Sequence, residues 1–190
     1  MIKLKYVYHG SNIPNLKVIK KYKSTHMKEW VYACHSKAIA TVFLSKQGSD
    51  LFYSLSGDGK DYPVELVERK PGMFKVIFNH SGYIYKLDAS NFKENQTGWS
   101  AEVVSDRDEK VISSEYIDNV YNELIRLDKN RLIKLYLYPN RPDYIPINNS
   151  DLIPKVLKWY KNGYDINNFY SIYPELKDHF LEELKKINED

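Results

Sequence analysis

The chain has 190 residues, 43% hydrophobic and 28% charged, with a formal net charge of +3. That length suits one domain, or one domain with a helical extension, and is long enough to bury a core without disulfides or a structural metal. The small net charge argues against a nucleic-acid groove or an anionic membrane surface as the organising feature. No run approaches the roughly 20 apolar residues of a membrane span, and Met-Ile-Lys-Leu-Lys at the start lacks the apolar core of a signal sequence. The expectation is a soluble, cytoplasmic protein with no membrane partner, in which the glycosylation-type matches at Asn79, Asn95 and Asn148 are chance.

In chain order, residues 4–8 alternate and are β-branched or aromatic, which predicts a strand ending in a turn at His9-Gly10-Ser11-Asn12. Residues 13–29 are polar and basic and predict an irregular or briefly helical crossing. Trp30-Val31-Tyr32-Ala33-Cys34 predicts a second strand. Ser36 then caps a predicted helix over 37–46, since Ile39, Val42 and Phe43 share one face, and Gly48 stops it. From 49 to 113 the pattern reads as β throughout, with strands over 64–68, 73–78, 82–87, 100–105 and 110–112. Turns at Gly57-Asp58-Gly59, Lys70-Pro71-Gly72 and Ser81-Gly82 separate them. Ser113 or Ser114 caps a predicted helix to about residue 130, with Ile117, Val120, Tyr121 and Leu124 on one face. A last strand over 132–138 closes at Pro139-Asn140-Arg141-Pro142.

Pro146 and Asn148-Asn149-Ser150 mark a predicted boundary between a domain over 1–146 and a C-terminal helical extension over 147–190. Leu152, Ile153, Val156, Leu157 and Tyr160 form one helical stripe ended by Gly163, with Pro154 tolerated in the first turn. Pro174 opens a final helix striped by Leu176, Phe180, Leu184 and Ile187. These helices are expected to pack on the strand body and to offer a homodimer contact. The predicted fold class is α+β.

Three segments carry residues suited to chemistry. In Tyr8-His9-Gly10-Ser11 a strand delivers a histidine, and the glycine lets a ligand approach the backbone closely. Alone this is weak, and a strand-end histidine satisfied by backbone explains it as well. Tyr32 and Phe43 stand on the strand and helix of the next segment, where two aromatics can sandwich a flat ring or simply pack the core. In Gly98-Trp99-Ser100-Ala101-Glu102-Val103-Val104, strand alternation puts Ser100 and Glu102 on one face. A carboxylate opening an apolar strand is costly to bury unpaired. It is either paired with a lysine at the surface or held near a developing positive charge.

The order Tyr8-His9-Gly10-Ser11, then Val31-Tyr32-Ala33 with Ser36-Lys37-Ala38 and Phe43, then Glu102-Val103-Val104, resembles the histidine–tyrosine–glutamate branch of the ADP-ribosyltransferases. That branch includes the poly(ADP-ribose) polymerases and diphtheria-type toxins. The chain is also similar to a group of bacterial and phage proteins of this length. The resemblance spans residues 4–140. It implies a split β-sandwich with peripheral helices, NAD as the donor substrate, and no metal. It implies that His9 bonds the adenine-side ribose, that Gly10 holds the nicotinamide amide through its backbone, and that Tyr32 stacks on nicotinamide. Ser11, Phe43 and Ser100 would complete the pocket, with Phe43 where many members carry a second tyrosine. Glu102 would stabilise the oxocarbenium-like transition state; Glu94 and Glu115 compete for that role. The acceptor is open among protein, nucleic acid, small molecule and water.

Two other readings share this fold. One is a non-catalytic nucleotide- or protein-binding module. The other, ranked third, is an NAD-dependent RNA phosphotransferase, which needs arginines around the cleft. Only Arg69, Arg107, Arg126, Arg131 and Arg141 exist, none beside His9-Gly10. Gly57-Asp58-Gly59-Lys60 reads as a hairpin turn and not a phosphate loop. Cys34 and His35 are strand neighbours facing opposite ways, so Cys34 reads as a buried structural thiol. His26, His80 and His179 lack ligand spacing. The lysines between Lys17 and Lys28 read as solvated surface, placed where a phosphate or an RNA would be met.

Overall fold

The computed structural model describes residues 5–23, 28–46, 48–59 and 62–189. His26 and Lys60 lie outside them. The chain divides into two compact units, one running to Asn140 and one starting at Arg141. No described helix is long and apolar enough to cross a membrane.

The first unit is mixed α and β. Its elements are β1 (Tyr6–Ser11), β2 (Val18–Ile19), β3 (Tyr22–Lys23), β4 (Glu29–Cys34), α1 (Lys37–Val42), β5 (Tyr53–Ser56), β6 (Glu65–Glu68), α2 (Met73–Phe78), β7 (Gly82–Asp88), β8 (Lys93–Glu94), β9 (Glu102–Ser105), β10 (Glu109–Ile117), α3 (Val120–Lys129) and β11 (Lys134–Tyr136). Eight strands form an antiparallel sheet in the order β2-β10-β7-β1-β4-β9-β8, with β3 added to β4. A smaller sheet has the order β11-β6-β5, in which β11 runs parallel to β6.

The large sheet is rolled. β9 ends at Ser105 and β10 begins at Glu109, yet β7, β1 and β4 lie between them in the sheet. In a flat sheet, those four strand spacings would separate them by roughly 19 Å. The connecting chain spans at most about 14 Å. The ends therefore curl together, and the Ser105 hydroxyl donates to the buried Glu109 carboxylate at 2.5 Å.

Strand alternation gives the rolled sheet two apolar faces. On one, Val7, Val31, Ala33, Tyr85, Leu87 and Val103 form a core with Ile19. The Tyr85 hydroxyl donates to the Ile13 carbonyl at 2.6 Å, tacking the loop after β1 over that face. On the other, Cys34 and Ile84 pack with α1, with Val64 and Leu66 of the small-sheet region, and with Phe74, Phe78 and Leu124 of the helices. Gly10 lies under α1, where a Cβ would stand 2.4 Å from the Ala40 carbonyl oxygen.

Several elements differ from expectation for identifiable reasons. β1 does not turn at His9 but continues to Ser11, because six residues ladder with β7. The crossing over 13–29 contains the short strands β2 and β3. Residues 73–78 are a helix and not a strand. Phe74, Ile77 and Phe78 are buried while Lys75 and Val76 are exposed, which is the helical period. Gly72, left-handed at φ 72°, offers no side-chain cap. Glu68 supplies one from β6, accepting from the Phe74 N–H at 2.8 Å and from the Tyr138 N–H at 2.9 Å. Glu68→Ala orphans both donors and is expected to cost about 2 kcal/mol, read as a lower urea midpoint with an unchanged slope.

The helix expected from Ser113 or Ser114 begins at Val120 instead. β10 runs on to Ile117, with a register shift between Val111 and Ser113, and the Tyr116 and Tyr83 rings pair across it at 5.2 Å. Asn119 caps α3, accepting from the Asn122 N–H at 2.9 Å. The strand expected over 100–105 starts only at Glu102, and α1, capped by Ser36 as expected, stops at Val42. The strand expected over 132–138 shortens to β11. The strands β5 and β8 were not expected.

The second unit contains α4 (Leu152–Lys161), α5 (Asn167–Ile172), a single 3-10 turn at Pro174–Leu176 and α6 (Lys177–Glu189). Pro154 sits in the first turn of α4, and Gly163 at φ 78° follows its end. Phe169, Tyr173, Leu176 and Phe180 are buried together, with the Phe169 and Phe180 rings 5.8 Å apart.

Candidate functional site

The β4–β9 ladder brings the two central residues together. Its register sets Cys34 opposite Glu102 and Tyr32 opposite Val104. Tyr32 and Glu102 therefore project from the same face as diagonal neighbours. Tyr32 is only 8% exposed. The Tyr22 ring lies 5.4 Å from the Tyr32 ring, and the Trp30 ring lies 6.1 Å from it. β3 supplies Tyr22, which pairs directly with Trp30.

Glu102 opens β9 just after a turn in which its N–H donates to the Trp99 carbonyl at 3.2 Å. Burial raises its pKa, and a hydrogen bond from Thr97 offsets this in part. The carboxylate acts on its surroundings. The Cys34 thiol is pushed well up, by burial first and by Glu102 second. The Tyr22 phenol is raised by burial, then by Tyr32 and Glu102. Cys34 is thus a protonated, buried thiol and not a nucleophile.

His9 is placed differently. It pairs with Tyr85, so alternation puts it on the opposite face from Tyr32 and Glu102. What ties it to them is a bond through the sheet: Nδ1–H donates to the Tyr32 carbonyl at 2.7 Å. Burial lowers its pKa. The ring is neutral, and Nε2 carries the lone pair. β1 and β4 share a single ladder pair, Tyr8 with Cys34. The His9 ring bonds just beyond that pair.

The remaining expected residues fall nearby with distinct tasks. Gly10 has its Cβ side closed by α1, so only its backbone atoms are available to a ligand. The Ser11 hydroxyl accepts from the Ile13 N–H at 3.2 Å, shaping the loop. Phe43 ends α1 with its ring 5.8 Å from Trp99, whose Nε1–H donates to the Gly57 carbonyl at 2.5 Å. Ser100 does not share a strand face with Glu102. It lies in the preceding turn, exposed, and its carbonyl accepts from His35 Nε2 at 3.0 Å.

Of the competing glutamates, Glu94 pairs with Val103 and so faces away from Glu102, and Glu115 on β10 is exposed and engages Lys37. Of the three, Glu102 alone is a diagonal neighbour of Tyr32; Glu115 shares that face by register but stands three strands away.

The chain matches no protein-family model, no curated protein and no solved structure.

Among the described residues no group of His, Cys, Asp and Glu is placed to hold a metal ion. The second unit has a cavity of about 410 Å³ lined in part by Ile153, Leu157, His179 and Glu183, and none of the expected residues line it. Sequence reasoning missed Tyr22 and Thr97. Tyr22 was hidden in a lysine run, and its only signal was an aromatic amid short alternating segments.

Proposed function

We propose that the chain is an NAD-dependent ADP-ribosyltransferase with the split β-sandwich of that superfamily. In this reading it moves ADP-ribose from NAD to an acceptor or to water. The observation that carries the reading is the placing of Glu102 beside Tyr32 on one sheet face, a half-buried carboxylate next to a cluster of tilted and edge-on aromatic rings. The rolled sheet and the small sheet, with α1 and α3 packed in their shared core, support the fold.

The chemistry needs little from the protein beyond placement. The bond between nicotinamide nitrogen and ribose C1′ breaks, and its electrons neutralise the pyridinium. Positive charge appears on the ribose. A preorganised carboxylate stabilises that charge as it forms. The acceptor then bonds to C1′ and loses a proton. In this reading nicotinamide meets the Tyr32 ring at its 8% exposed edge, and the more exposed Tyr22 ring stands outside it. The backbone of Gly10 clamps the amide. His9, on the opposite face, supports the site through its Nδ1–H bond to the Tyr32 carbonyl.

The test is nicotinamide release from NAD by the wild type and by Glu102→Gln, with NAD titrated in a thermal-shift assay. A ligand at 100 times its Kd stabilises by about 2.7 kcal/mol, a shift of several degrees. Release above background that the variant loses supports the transferase. A shift without release makes the chain a binding module. The absence of both release and shift would remove the reading.

A further inference from the structure

β3 and β4 set aromatic and basic side chains side by side. Tyr22 and Trp30 are cross-strand partners, and Tyr32 follows two positions along β4 on the same face. Exposure falls along this row. Tyr22 is 51% exposed and Tyr32 8%, with Trp30 half-buried between them. Lys28 holds its ammonium 5.1 Å from the Trp30 ring centroid. Lys17, Lys20, Lys21 and Lys23 are exposed on the same stretch of chain, and from residue 17 to 28 there is no acidic residue. Apart from Glu102, the nearest acids are engaged or face away. Asp108 accepts from the Lys21 backbone N–H at 2.9 Å, and Asp106 from Lys93 at 2.7 Å. Glu29 stands opposite Lys23 in the register, so both face away from Tyr22 and Trp30.

Stacking rings interleaved with cations suit a flexible polyanion with flat bases. Bases stack on the rings while lysines meet the phosphates. A duplex hides its base faces and gains only the charge. The local run, not the net charge of the chain, decides this. We propose that the Tyr22–Trp30 face with Lys20 and Lys28, each two positions from one of these rings, binds single-stranded nucleic acid, which would present a base or terminal group beside Glu102 as the acceptor. The acceptor role rests on the transferase reading; the binding itself does not.

The experiment is fluorescence anisotropy of the full chain with a labelled twelve-nucleotide oligothymidylate and with a duplex of equal length, without NAD. The single strand is expected to bind at least about tenfold more tightly than the duplex. Tyr22→Leu is expected to weaken it by about tenfold, as loss of one stacking ring does, and Tyr22→Phe to retain it. Lys20→Gln with Lys28→Gln is expected to reduce the salt slope by about 0.7 per lysine that meets a phosphate. Both positions are exposed, and unchanged thermal melting confirms that the variants fold. No binding, equal affinity for the duplex, or indifference to both sets of variants would overturn the proposal. So would displacement by polyglutamate of equal charge, which would make the face a dock for acidic protein. Because NAD is absent, failure here leaves the transferase test untouched, and failure of that test leaves the binding result standing.

Discussion

Glu102→Gln is expected to lower NAD-dependent nicotinamide release by about 10²–10³-fold, the loss that follows removal of one preorganised electrostatic partner. The fall should sit in kcat with KM little changed, since the ribose gains its charge only in the transition state. The pH profile gives a second readout. Burial lifts the Glu102 pKa above its ordinary 4.5. The wild-type rate should therefore rise with pH through that raised value, and the variant should show no such limb. Stability moves the other way. The folded state holds this proton more tightly than the unfolded chain. Its contribution is complete below the unfolded pKa and is lost as pH rises through the folded one. Glutamine carries no charge to desolvate, so at neutral pH the variant should melt no lower than the wild type. A variant that loses both turnover and stability would mark Glu102 as structural.

Gly10→Ala is expected to destabilise the protein by about 2–3 kcal/mol, the cost of forcing an extra group into a packed contact. In a chain of this size that lowers Tm by about 4–12 °C. The new Cβ would stand 2.4 Å from the Ala40 carbonyl oxygen and 3.3 Å from Leu44 Cδ2. The first neighbour is backbone, so α1 itself must move. Gly82→Ala is the control. Its Cβ would meet the two Leu44 methyls, each at 2.9 Å, and a leucine end can rotate away. Differential scanning calorimetry should rank Gly10→Ala as clearly the worse. Equal penalties would mean that α1 is not held where the contact requires. Lost activity in Gly10→Ala cannot be assigned to the ligand until folding is measured.

Much of the framework was legible because its signals are local. Ser36 caps α1, Pro154 fits the first turn of α4, and the alternation of 82–87 marks β7. The failures have local causes too. The register shift in β10 breaks alternation at Ile112 and hid the second half of a long strand. The cap of α2 comes from Glu68 on another element, so no capping residue announces it. At the site, Tyr32 and Glu102 were readable as residue types. That they are neighbours depends on Cys34 pairing with Glu102, a register set by packing. The bond from His9 to the Tyr32 carbonyl involves a backbone atom, which no side-chain pattern encodes.

The rolled sheet also has a consequence for how the protein is made. β1 joins β4 through one pair and finds its six other partners on β7, and Tyr85 reaches back to Ile13 across 72 residues. A ribosome adding about 5–20 residues per second leaves the emerging strand waiting roughly 4–15 s for that edge. During that interval Val7 and its neighbours have nowhere to bury, and a holding chaperone has an obvious client. Nascent chains arrested before Gly82 should be protease-sensitive throughout, whereas those released past Ile117 should protect their first strand.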